Sequence, residues 1–334
     1  MILAGDIGGT NASLALFERN GAGRLGRPLH AESYRGADFP SLAELLVAYR
    51  AQNPAPIEAA CFGVAGPVIQ ATVRGTNIPW VVSAADTAKA LGIRSVYLLN
   101  DLAAAGYAVP ILSNEDLVTI QRGVPDPGAN AAVISAGTGL GETILARVDG
   151  ELIPIASEGG FGDFAPRTDE EIELLRDLRA RLGRVAYEHV LSGPGLSNIA
   201  RFTHERGGAA AGAAWTAHQS GAEGDGLAAR ISTAALSGAC SFCGEALSLF
   251  VSIYGAEAGN LALRGLARAG VYLGGGIAPK ILPALQGPRF LQSFREKAPH
   301  ADLLAAIPIH VIRNERAGVL GAARYASLSL AKGL

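Results

Sequence analysis

The chain has 334 residues, of which 49% are hydrophobic and 17% charged, and its formal net charge is −2. This composition is typical of a folded α/β protein large enough for two domains, and it argues against a disordered chain. A nearly neutral charge gives no general attraction to nucleic acid or to a membrane surface. Charged residues interrupt the apolar segments, and no basic signal segment precedes the first apolar run, so we expect a cytoplasmic protein outside the membrane.

The first predicted element is a β-hairpin. Apolar residues flank the turn Gly5-Asp6-Ile7-Gly8-Gly9-Thr10-Asn11. Gly8 and Gly9 allow a sharp bend and a close approach of the backbone to a ligand, and successive N–H groups at such a bend suit phosphate. Thr10 and Asn11 add donors, whereas Asp6 would repel phosphate unless Mg²⁺ bridged the two, directly or through water. An ordinary hairpin turn is the alternative, and no Walker A loop occurs in the chain.

Strands and helices alternate after this hairpin. The spacing of apolar residues predicts helices over 41–52, 83–91 and 102–108, and strands over 57–64 and 95–99. Loose turns are predicted at 21–27 and 77–80. Such alternation favours parallel strands in an α/β layer. From Ala131 the opening pattern returns, with strands over 131–135, 142–148 and 151–156 around the glycine-rich turn 136–141. We interpret this segment as a second half built like the first.

The remaining elements are mainly helical. A capping box, from Thr168 to Glu171, opens a helix that ends at Leu182, with Ile172, Leu175, Leu178 and Leu182 on one face. A short helix over 185–191 is followed by Ser192-Gly193-Pro194-Gly195. Residues 207–224 are rich in Ala and Gly and are predicted to form a mobile surface loop. Further helices are predicted over 227–254, 260–268 and 315–329, and strands over 271–273 and 309–312.

The chain contains three cysteines. Cys240 and Cys243 form a C-x-x-C pair inside a helical pattern, which is compatible with a redox pair or with half of a zinc site. A zinc site needs two further ligands, and none of the six histidines has metal-ligand spacing. We therefore interpret the pair as buried helix cysteines in a reducing cytoplasm, and Cys61 as a strand residue.

Three glycine-rich turns each follow a predicted strand, at residues 5–11, 136–141 and 274–277. The first two suit phosphates, and the flat backbone of Gly274-Gly275-Gly276 suits a base or a ribose. Together they favour a nucleotide site, although three purely structural turns would give the same pattern.

Carboxylates mark the second set of candidate residues. Asn100 and Asp101 follow a strand at the edge of the sheet where open α/β proteins bind ligands. Asp101 can accept a hydroxyl proton during phosphoryl transfer, and Asn100 can orient another hydroxyl. The alternative is that one of them only caps the helix that follows. Glu158 and Glu188 are of the type that binds sugar hydroxyls, but a carboxylate taken singly is more often a solvated surface charge.

At these residues the chain resembles the bacterial glucokinases of the hexokinase type, which belong to the actin-like ATPase superfamily. The matching strings run nearly from end to end: residues 5–11, Gly66-Pro67-Val68, Thr76-Asn77-Ile78-Pro79-Trp80, Asn100-Asp101, Gly137-Thr138-Gly139-Leu140-Gly141, Glu158-Gly159-Gly160, Asp163-Phe164-Ala165-Pro166, Val190-Leu191-Ser192-Gly193-Pro194-Gly195 and Gly274-Gly275-Gly276-Ile277. In this order and at these spacings the set is highly specific.

The resemblance implies an α/β fold of two actin-like ATPase (ribonuclease-H-like) domains with a central cleft. It implies a small domain of residues 1–110 and 311–334, a large domain of residues 111–310, and a homodimer. The implied reaction is ATP-dependent phosphorylation of the glucose 6-hydroxyl, with Asp101 as base, and Mg²⁺ at Asp6. The implied sugar ligands are Asn100, Asp101, Glu158 and Glu188. The implied ATP-binding residues are Gly5, Asp6, Ile7, Gly8, Gly9, Thr10, Asn11, Gly137, Thr138, Gly139, Gly275 and Gly276.

One position departs from the family pattern. These kinases usually read Glu-Gly-Gly-His, and here position 161 is Phe161. A phenyl ring cannot make the hydrogen bond that the imidazole would offer near the anomeric end of the sugar, which costs about 1 kcal/mol of binding. Phe161 can face glucose, contact a different hexose or amino sugar, or turn into the core. A non-catalytic sugar or nucleotide sensor is the competing class of function, and ADP or polyphosphate are alternative donors to ATP.

Overall fold

The structure is a computed structural model that describes residues 1–20, 24–74, 80–219 and 226–332. Its strands are β1 (Ile2–Ile7), β2 (Asn11–Arg19), β3 (Leu25–Arg35), β4 (Ala59–Val64), β5 (Val68–Ile69), β6 (Thr72–Arg74), β7 (Val81–Ser83), β8 (Ser95–Asn100), β9 (Leu117–Gln121), β10 (Ala131–Ala136), β11 (Leu140–Val148), β12 (Glu151–Pro154), β13 (Gly270–Gly274) and β14 (Ile309–Ile312). Its α-helices are α1 (Leu42–Gln52), α2 (Ala84–Leu91), α3 (Asp101–Ala108), α4 (Asp169–Leu182), α5 (Gly193–Arg206), α6 (Gly208–Gln219), α7 (Gly226–Leu236), α8 (Ser241–Gly265), α9 (Leu282–Leu285), α10 (Pro288–Arg295), α11 (Ala301–Ala306) and α12 (Ala317–Lys332).

The chain forms two compact units. The first comprises Met1–Glu115, Leu152–Ala156 and Asn314–Leu334, and the second comprises Asp116–Glu151 and Ser157–Arg313. Parts of three predicted turns or loops lie outside the described residues: 21–23 of the turn at 21–27, 77–79 of the turn at 77–80, and 220–224 of the loop at 207–224. Residues 76–79 of the family string that ends at Trp80 lie outside them as well.

The first unit contains a sheet of order β3-β2-β1-β4-β8. β1 pairs antiparallel with β2 and parallel with β4, which pairs parallel with β8, as the alternation of strands and helices predicts. Ser41 and Ser83 accept backbone N–H groups at the starts of α1 and α2, and Gly92 ends α2 at φ 66°. β3 was not predicted.

Two glycines allow close packing on the two sides of α3. A Cβ on Gly63 of β4 would lie 2.8 Å from the Cβ of Ala104 in α3, so only glycine allows this contact. A Cβ on Gly321 of α12 would lie 1.7 Å from the carbonyl oxygen of Ala104. These approaches fix α3 against β4 and α12, and thereby fix the start of α3, where Asp101 stands.

The second unit repeats the strand plan of the first. Its sheet has the order β12-β11-β10-β13-β14-β9, and β12, at the edge, is where the chain passes into the first unit. β10 and β11 form an antiparallel hairpin, while β10, β13 and β14 are parallel. This is the connectivity of β1, β2, β4 and β8, so the prediction of a second half built like the first is confirmed.

Helix α8 is the core helix of the second unit. It is long and apolar enough to span a membrane by length and composition, but 83% of its most apolar window is buried inside the protein. The sequence prediction divided this region wrongly, into helices 227–254 and 260–268. The break instead falls before α8, at Gly238 with φ 71°, and α8 continues through Gly255 and Gly259. Those glycines admit α10, because Cβ atoms there would lie 2.3 and 2.6 Å from the carbonyl oxygens of Phe290 and Phe294.

Three other helical predictions need correction. Residues 208–219 form α6 and are not a loop, because alanine has the highest helix propensity and outweighs the glycines. Residues 185–191 contain only a 3₁₀ turn, Tyr187–His189, while Ser192 caps α5 where the sequence suggested an end. In α4 the fully buried apolar positions are Leu174 and Leu178, whereas Leu182 is exposed, so the buried face is rotated from the predicted one.

Candidate active site

The first glycine-rich turn joins β1 to β2. Gly8 donates its N–H to the Asn11 carbonyl at 2.9 Å, and Thr10 accepts an N–H bond from Gly36 at 2.9 Å. Residues 9–11 are exposed, so their groups are accessible to a ligand. Neither Gly8 nor Gly9 adopts positive φ, so the bend itself does not require glycine, contrary to our reasoning from the sequence. A Cβ on Gly8 would have only the Asn11 carbonyl oxygen as a near neighbour, at 3.4 Å.

The carboxyl ends of the three parallel strands of the first unit lie side by side. Ile7 pairs with Val64, and Val64 pairs with Asn100. Asn100 is the N-cap of α3, and its Oδ1 accepts the N–H groups of Leu102 at 3.0 Å and Ala103 at 3.4 Å. Its Nδ2 donates to the Gly66 carbonyl oxygen at 3.2 Å. Asn100 therefore has a structural role at the start of α3.

Asp101 occupies the first position of α3. Its Oδ1 accepts the N–H of Leu102 at 2.8 Å, and the residue is exposed at the surface of the first unit. Desolvation by neighbouring protein atoms raises the pKa of this carboxyl above its ordinary value, although the hydrogen bonds to it act in the opposite direction. A carboxylate with a raised pKa is a better proton acceptor at neutral pH than an ordinary aspartate.

The charge of Asp101 acts on the carboxyl group of Asp6. Burial, and secondarily the charge of Asp101, raises the pKa of Asp6 to about 7. Gly318 of α12 packs directly on this carboxylate, because a Cβ there would lie 2.7 Å from Asp6 Oδ2. The Asp6 carboxylate, which resists ionisation in this surrounding, is a suitable oxygen donor for Mg²⁺, whose positive charge would favour the ionised form. Gly318 was not identified from the sequence, since nothing in its local pattern points to Asp6.

The second glycine-rich turn, between β10 and β11, holds Glu188. The Leu140 N–H donates to Glu188 Oε2 at 2.9 Å, and a Cβ on Gly139 would lie 2.6 Å from the same oxygen. The turn is closed by a bond from the Gly137 N–H to the Gly139 carbonyl at 2.9 Å. Gly137 faces open space, and its carbonyl accepts the N–H of Gly193 at the start of α5. The predicted residues Gly137, Thr138, Gly139 and Glu188 are thus brought together.

The third glycine-rich turn lies against the end of β10. Gly275 has φ 80°, and a Cβ there would lie 2.2 Å from the Ala136 carbonyl oxygen, so both the backbone conformation and the close contact require glycine at this position. The Ile277 N–H donates to that same carbonyl at 3.2 Å. Gly276 is exposed and has no neighbour that a Cβ would meet. Gly275 and Gly276 therefore adjoin the turn of Gly137 within one unit.

The Glu158-Gly159-Gly160 turn packs on the same hairpin. A Cβ on Gly160 would lie 2.0 Å from the Leu140 carbonyl oxygen, which is possible only for glycine. Glu158 is exposed, and its carbonyl accepts the Phe161 N–H at 3.0 Å. The Phe161 ring is 49% exposed, so the alternative that it turns into the core is wrong. Arg184 donates to the Phe161 carbonyl at 2.6 Å.

A buried carboxyl group lies behind this turn and was not identified from the sequence. Glu142 of β11 is 2% exposed, and a Cβ on Gly159 would lie 2.9 Å from its Oε2. Burial, and then the charge of Glu257, raises the pKa of Glu142 to about 8, although Arg264 acts in the opposite direction. Its signal in the sequence is a lone carboxylate in an otherwise apolar strand.

The comparison with known proteins identifies the family. The family model described as Glucokinase matches residues 3–329. This chain belongs to the glucokinase family. Among its relatives, the glucokinase of Nostoc sp. is 40% identical over 339 aligned residues, which cover 98% of this chain and 99% of the relative.

Solved structures agree with the family assignment. The crystal structure of glucokinase from an Antarctic psychrotroph has a TM-score of 0.85 and 31% identity, with 98% of this chain and 99% of that chain covered. A glucokinase of the ROK family from Streptomyces griseus, solved in complex with glucose and AMPPNP, has a TM-score of 0.66 at 21% identity, over 98% of this chain and 99% of that chain. The second similarity concerns the fold alone.

In this glucokinase-family chain, the interpretation of the cysteine pair as buried helix residues is right for Cys243 and wrong for Cys240, which is half-buried. Cys240 and Cys243 do have histidine neighbours: His204 and His218 join them in a compact cluster. Cys240 is the N-cap of α8 and does not lie inside a helix. The separation of the histidines from the cysteines along the chain concealed this arrangement.

Proposed function

We propose that this protein is a glucose kinase that transfers the γ-phosphoryl group of ATP to the 6-hydroxyl of glucose, giving glucose 6-phosphate and ADP. The observation that carries the proposal is Asp101, a carboxylate of raised pKa at a strand end and near enough to Asp6 of the glycine-rich turn to affect its pKa. Membership of the glucokinase family, at 40% identity over nearly the whole chain, supports glucose and ATP as the substrates.

Asp101 acts as the general base. As the 6-hydroxyl oxygen forms its bond to the γ-phosphorus, the bond from that phosphorus to the ADP oxygen breaks, and Asp101 takes the hydroxyl proton. The raised pKa brings the carboxylate closer to the operating pH, where proton acceptance is most effective. The Leu102 N–H, 2.8 Å from Oδ1, orients the group. Deprotonation of the hydroxyl as the bond forms is worth about two to four orders of magnitude in rate.

The other residues bind and orient the substrates. Asn100, Asp101, Glu158 and Glu188 hold sugar hydroxyls, and a carboxylate can accept two of them at once. The Leu140 N–H bond fixes one oxygen of Glu188 and leaves the other for the sugar.

For ATP, we assign the phosphates to the backbone N–H groups of the first two glycine-rich turns and the adenosine to the third. The residues of this assignment are Gly5, Asp6, Ile7, Gly8, Gly9, Thr10, Asn11, Gly137, Thr138, Gly139, Gly275 and Gly276. The open space over Gly137 and Gly276 supports it. Mg²⁺ held by Asp6, directly or through water, would neutralise phosphate charge when bound.

A kinase for another hexose or amino sugar is the second candidate, and Phe161 favours it. The exposed ring is available to contact a sugar but cannot accept or donate a hydrogen bond at that position. We retain glucose as the preferred substrate because Asn100, Asp101, Glu158 and Glu188 all remain, and we expect weaker binding of the sugar at its anomeric end.

An ADP-release assay tests these proposals. Purified protein is given ATP and Mg²⁺ with glucose, mannose, fructose, N-acetylglucosamine or no sugar, and Asp101→Asn serves as the matched control. We expect turnover with glucose that depends on Asp101. Turnover that needs no hexose, or sugar binding without turnover, would contradict the kinase proposal and favour the sensor. Replacing ATP by ADP or polyphosphate in the same assay identifies the donor.

Three further assignments belong to this proposal. We assign the two kinase domains to residues 1–110 with 311–334 and to residues 111–310, and the active assembly to a homodimer. We assign the enzyme to the cytoplasm, where its three free cysteines stay reduced. Analytical ultracentrifugation and cell fractionation test the last two.

A further inference from the structure

Four potential metal ligands converge in the second unit, in a region that the proposed kinase reaction does not use. They are His204 in α5, His218 in α6, and Cys240 and Cys243 at the start of α8. One ligand atom of each residue can be chosen so that all four lie within 4.8 Å of one another. His204 and Cys243 are buried, and the other two are half-buried. Three separate helices therefore contribute to one small polar cluster.

The distances suit a tetrahedral ion. His204 Nε2 lies 3.5 Å from Cys240 Sγ, and His218 Nε2 lies 3.3 Å from Cys243 Sγ. Metal–ligand bonds of about 2.3 Å to sulfur and about 2.0–2.1 Å to nitrogen, directed to the corners of a tetrahedron, put neighbouring sulfur and nitrogen atoms about 3.5 Å apart. These two sulfur–nitrogen pairs already have nearly this spacing, and all four ligand atoms lie within 4.8 Å of one another.

Surrounding hydrogen bonds orient the ligand atoms. His204 Nδ1 donates to the Ala200 carbonyl oxygen at 2.6 Å. This bond leaves the Nε2 lone pair, on the Cys240 side, free to bind a metal, as is usual for metal-bound histidine. The Cys243 N–H donates to Cys240 Sγ at 3.3 Å, which stabilises a thiolate at that sulfur. The orientation is therefore supported by groups outside the four ligands.

We propose that His204, His218, Cys240 and Cys243 form a closed tetrahedral zinc site that joins α5, α6 and α8. A tetrahedral set of two sulfurs and two nitrogens is typical of zinc, and a site with four protein ligands leaves no position for substrate, so its role is structural. Binding of Zn²⁺ to the two thiols and two neutral imidazoles forms four metal–ligand bonds and releases two thiol protons to solvent.

The position of the cluster supports a structural role. The start of α5, at Gly193, is hydrogen-bonded to the glycine-rich turn at Gly137. His204 lies eleven residues further along α5, about 16 Å from Gly193 along the helix axis, so the cluster is remote from that turn. The metal would instead hold the Ala-rich helix α6 to its neighbours. His204 already contacts Trp215 of α6, with ring centroids 5.6 Å apart.

Metal analysis of the full chain, expressed without an affinity tag in zinc-supplemented medium, tests the proposal. We expect about one zinc per chain in the wild type and a loss of at least about tenfold in Cys243→Ser and His218→Asn. Cys61→Ala and His300→Gln are the matched controls, since Cys61 lies in β4 of the first unit and His300 is exposed, and both should keep their zinc. Co²⁺ in place of zinc should give the visible spectrum of a tetrahedral sulfur–nitrogen site in the wild type and the controls only.

A stability measurement tests the structural role separately. A high-affinity chelator should lower the Tm of the wild type by about 10 °C, but leave the Tm of Cys243→Ser unchanged. Less than about one tenth of a zinc per chain together with no tetrahedral Co²⁺ spectrum would overturn the site. So would a Cys240–Cys243 disulfide in protein purified under reducing conditions, or equal zinc loss in the controls. If Cys243→Ser does not fold, the zinc content of His218→Asn and the Co²⁺ spectrum of the wild type still test whether the zinc site exists.

Discussion

Replacing Asp101 by Asn separates a catalytic role from a capping role, because the structure assigns most of the cap to a different residue. Asn100 accepts the N–H groups of Leu102 and Ala103 at the start of α3, whereas Asp101 accepts that of Leu102. An asparagine at position 101 retains an Oδ1 for this bond. The substitution removes a charge that stabilises the helix N-terminus by about 0.3–1 kcal/mol. It also removes the desolvation cost of that charge, which is what raises the Asp101 pKa, so the two effects oppose each other.

We therefore expect Asp101→Asn to change the stability of the first unit by less than about 1 kcal/mol and its Tm by only a few degrees. The turnover number should fall by about two to four orders of magnitude, equivalent to about 3–5 kcal/mol in the activation barrier. The KM for ATP should remain within about threefold of the wild-type value. The pKa of Asp6 should decrease, because the charge of Asp101 is one cause of its elevation.

The assay is ADP release at saturating glucose and ATP, with Tm measured on the same preparations. Asn100→Ala is the matched control: it removes the cap and should cost about 0.5–2 kcal/mol of stability. If Asp101→Asn keeps near-normal turnover, Asp101 is not the base. If it loses as much stability as Asn100→Ala, the assignment of the cap is wrong.

Three further predictions concern the second unit. Phe161→His should lower the KM for glucose about fivefold with little change in kcat, because it regains one hydrogen bond of about 1 kcal/mol in ground and transition states alike. An unchanged KM for glucose, mannose and N-acetylglucosamine would show that position 161 is not part of the site. Gly160→Ala should lower kcat/KM about a hundredfold, since the new Cβ would lie 2.0 Å from a carbonyl oxygen. Gly212→Ala, the control, places its Cβ in open space and should leave kcat/KM unchanged, so equal effects of the two substitutions would refute the packing argument. Burial raises the pKa of Glu142 from 4.5 to about 8. The free energy of unfolding should therefore fall as the pH rises from 4.5 through 8, because the folded protein retains a proton that the unfolded chain releases. Glu142→Gln should flatten this part of the Tm–pH curve, and a curve parallel to the wild type would show that Glu142 ionises normally.

The sequence by itself determined both glycine-rich hairpins and several of the helix starts. Alternating apolar runs and glycine-rich turns predicted both hairpins, and Thr168 caps α4 where the capping box indicated. These features depend on interactions within a few residues, which the local sequence contains. The positions of Asn100 and Asp101 at a strand end were predictable for the same reason.

Tertiary structure decided what depends on residues distant in the chain. Gly255 and Gly259 are usual signs of a helix end, yet α8 continues through both because they allow α10 to approach. The convergence of Glu188 and Gly160 on the β10–β11 turn, and of His204 and His218 on the Cys240 pair, is likewise absent from any local spacing. Such contacts are stabilised by the packing of whole helices and strands, so they become visible only once the chain is folded.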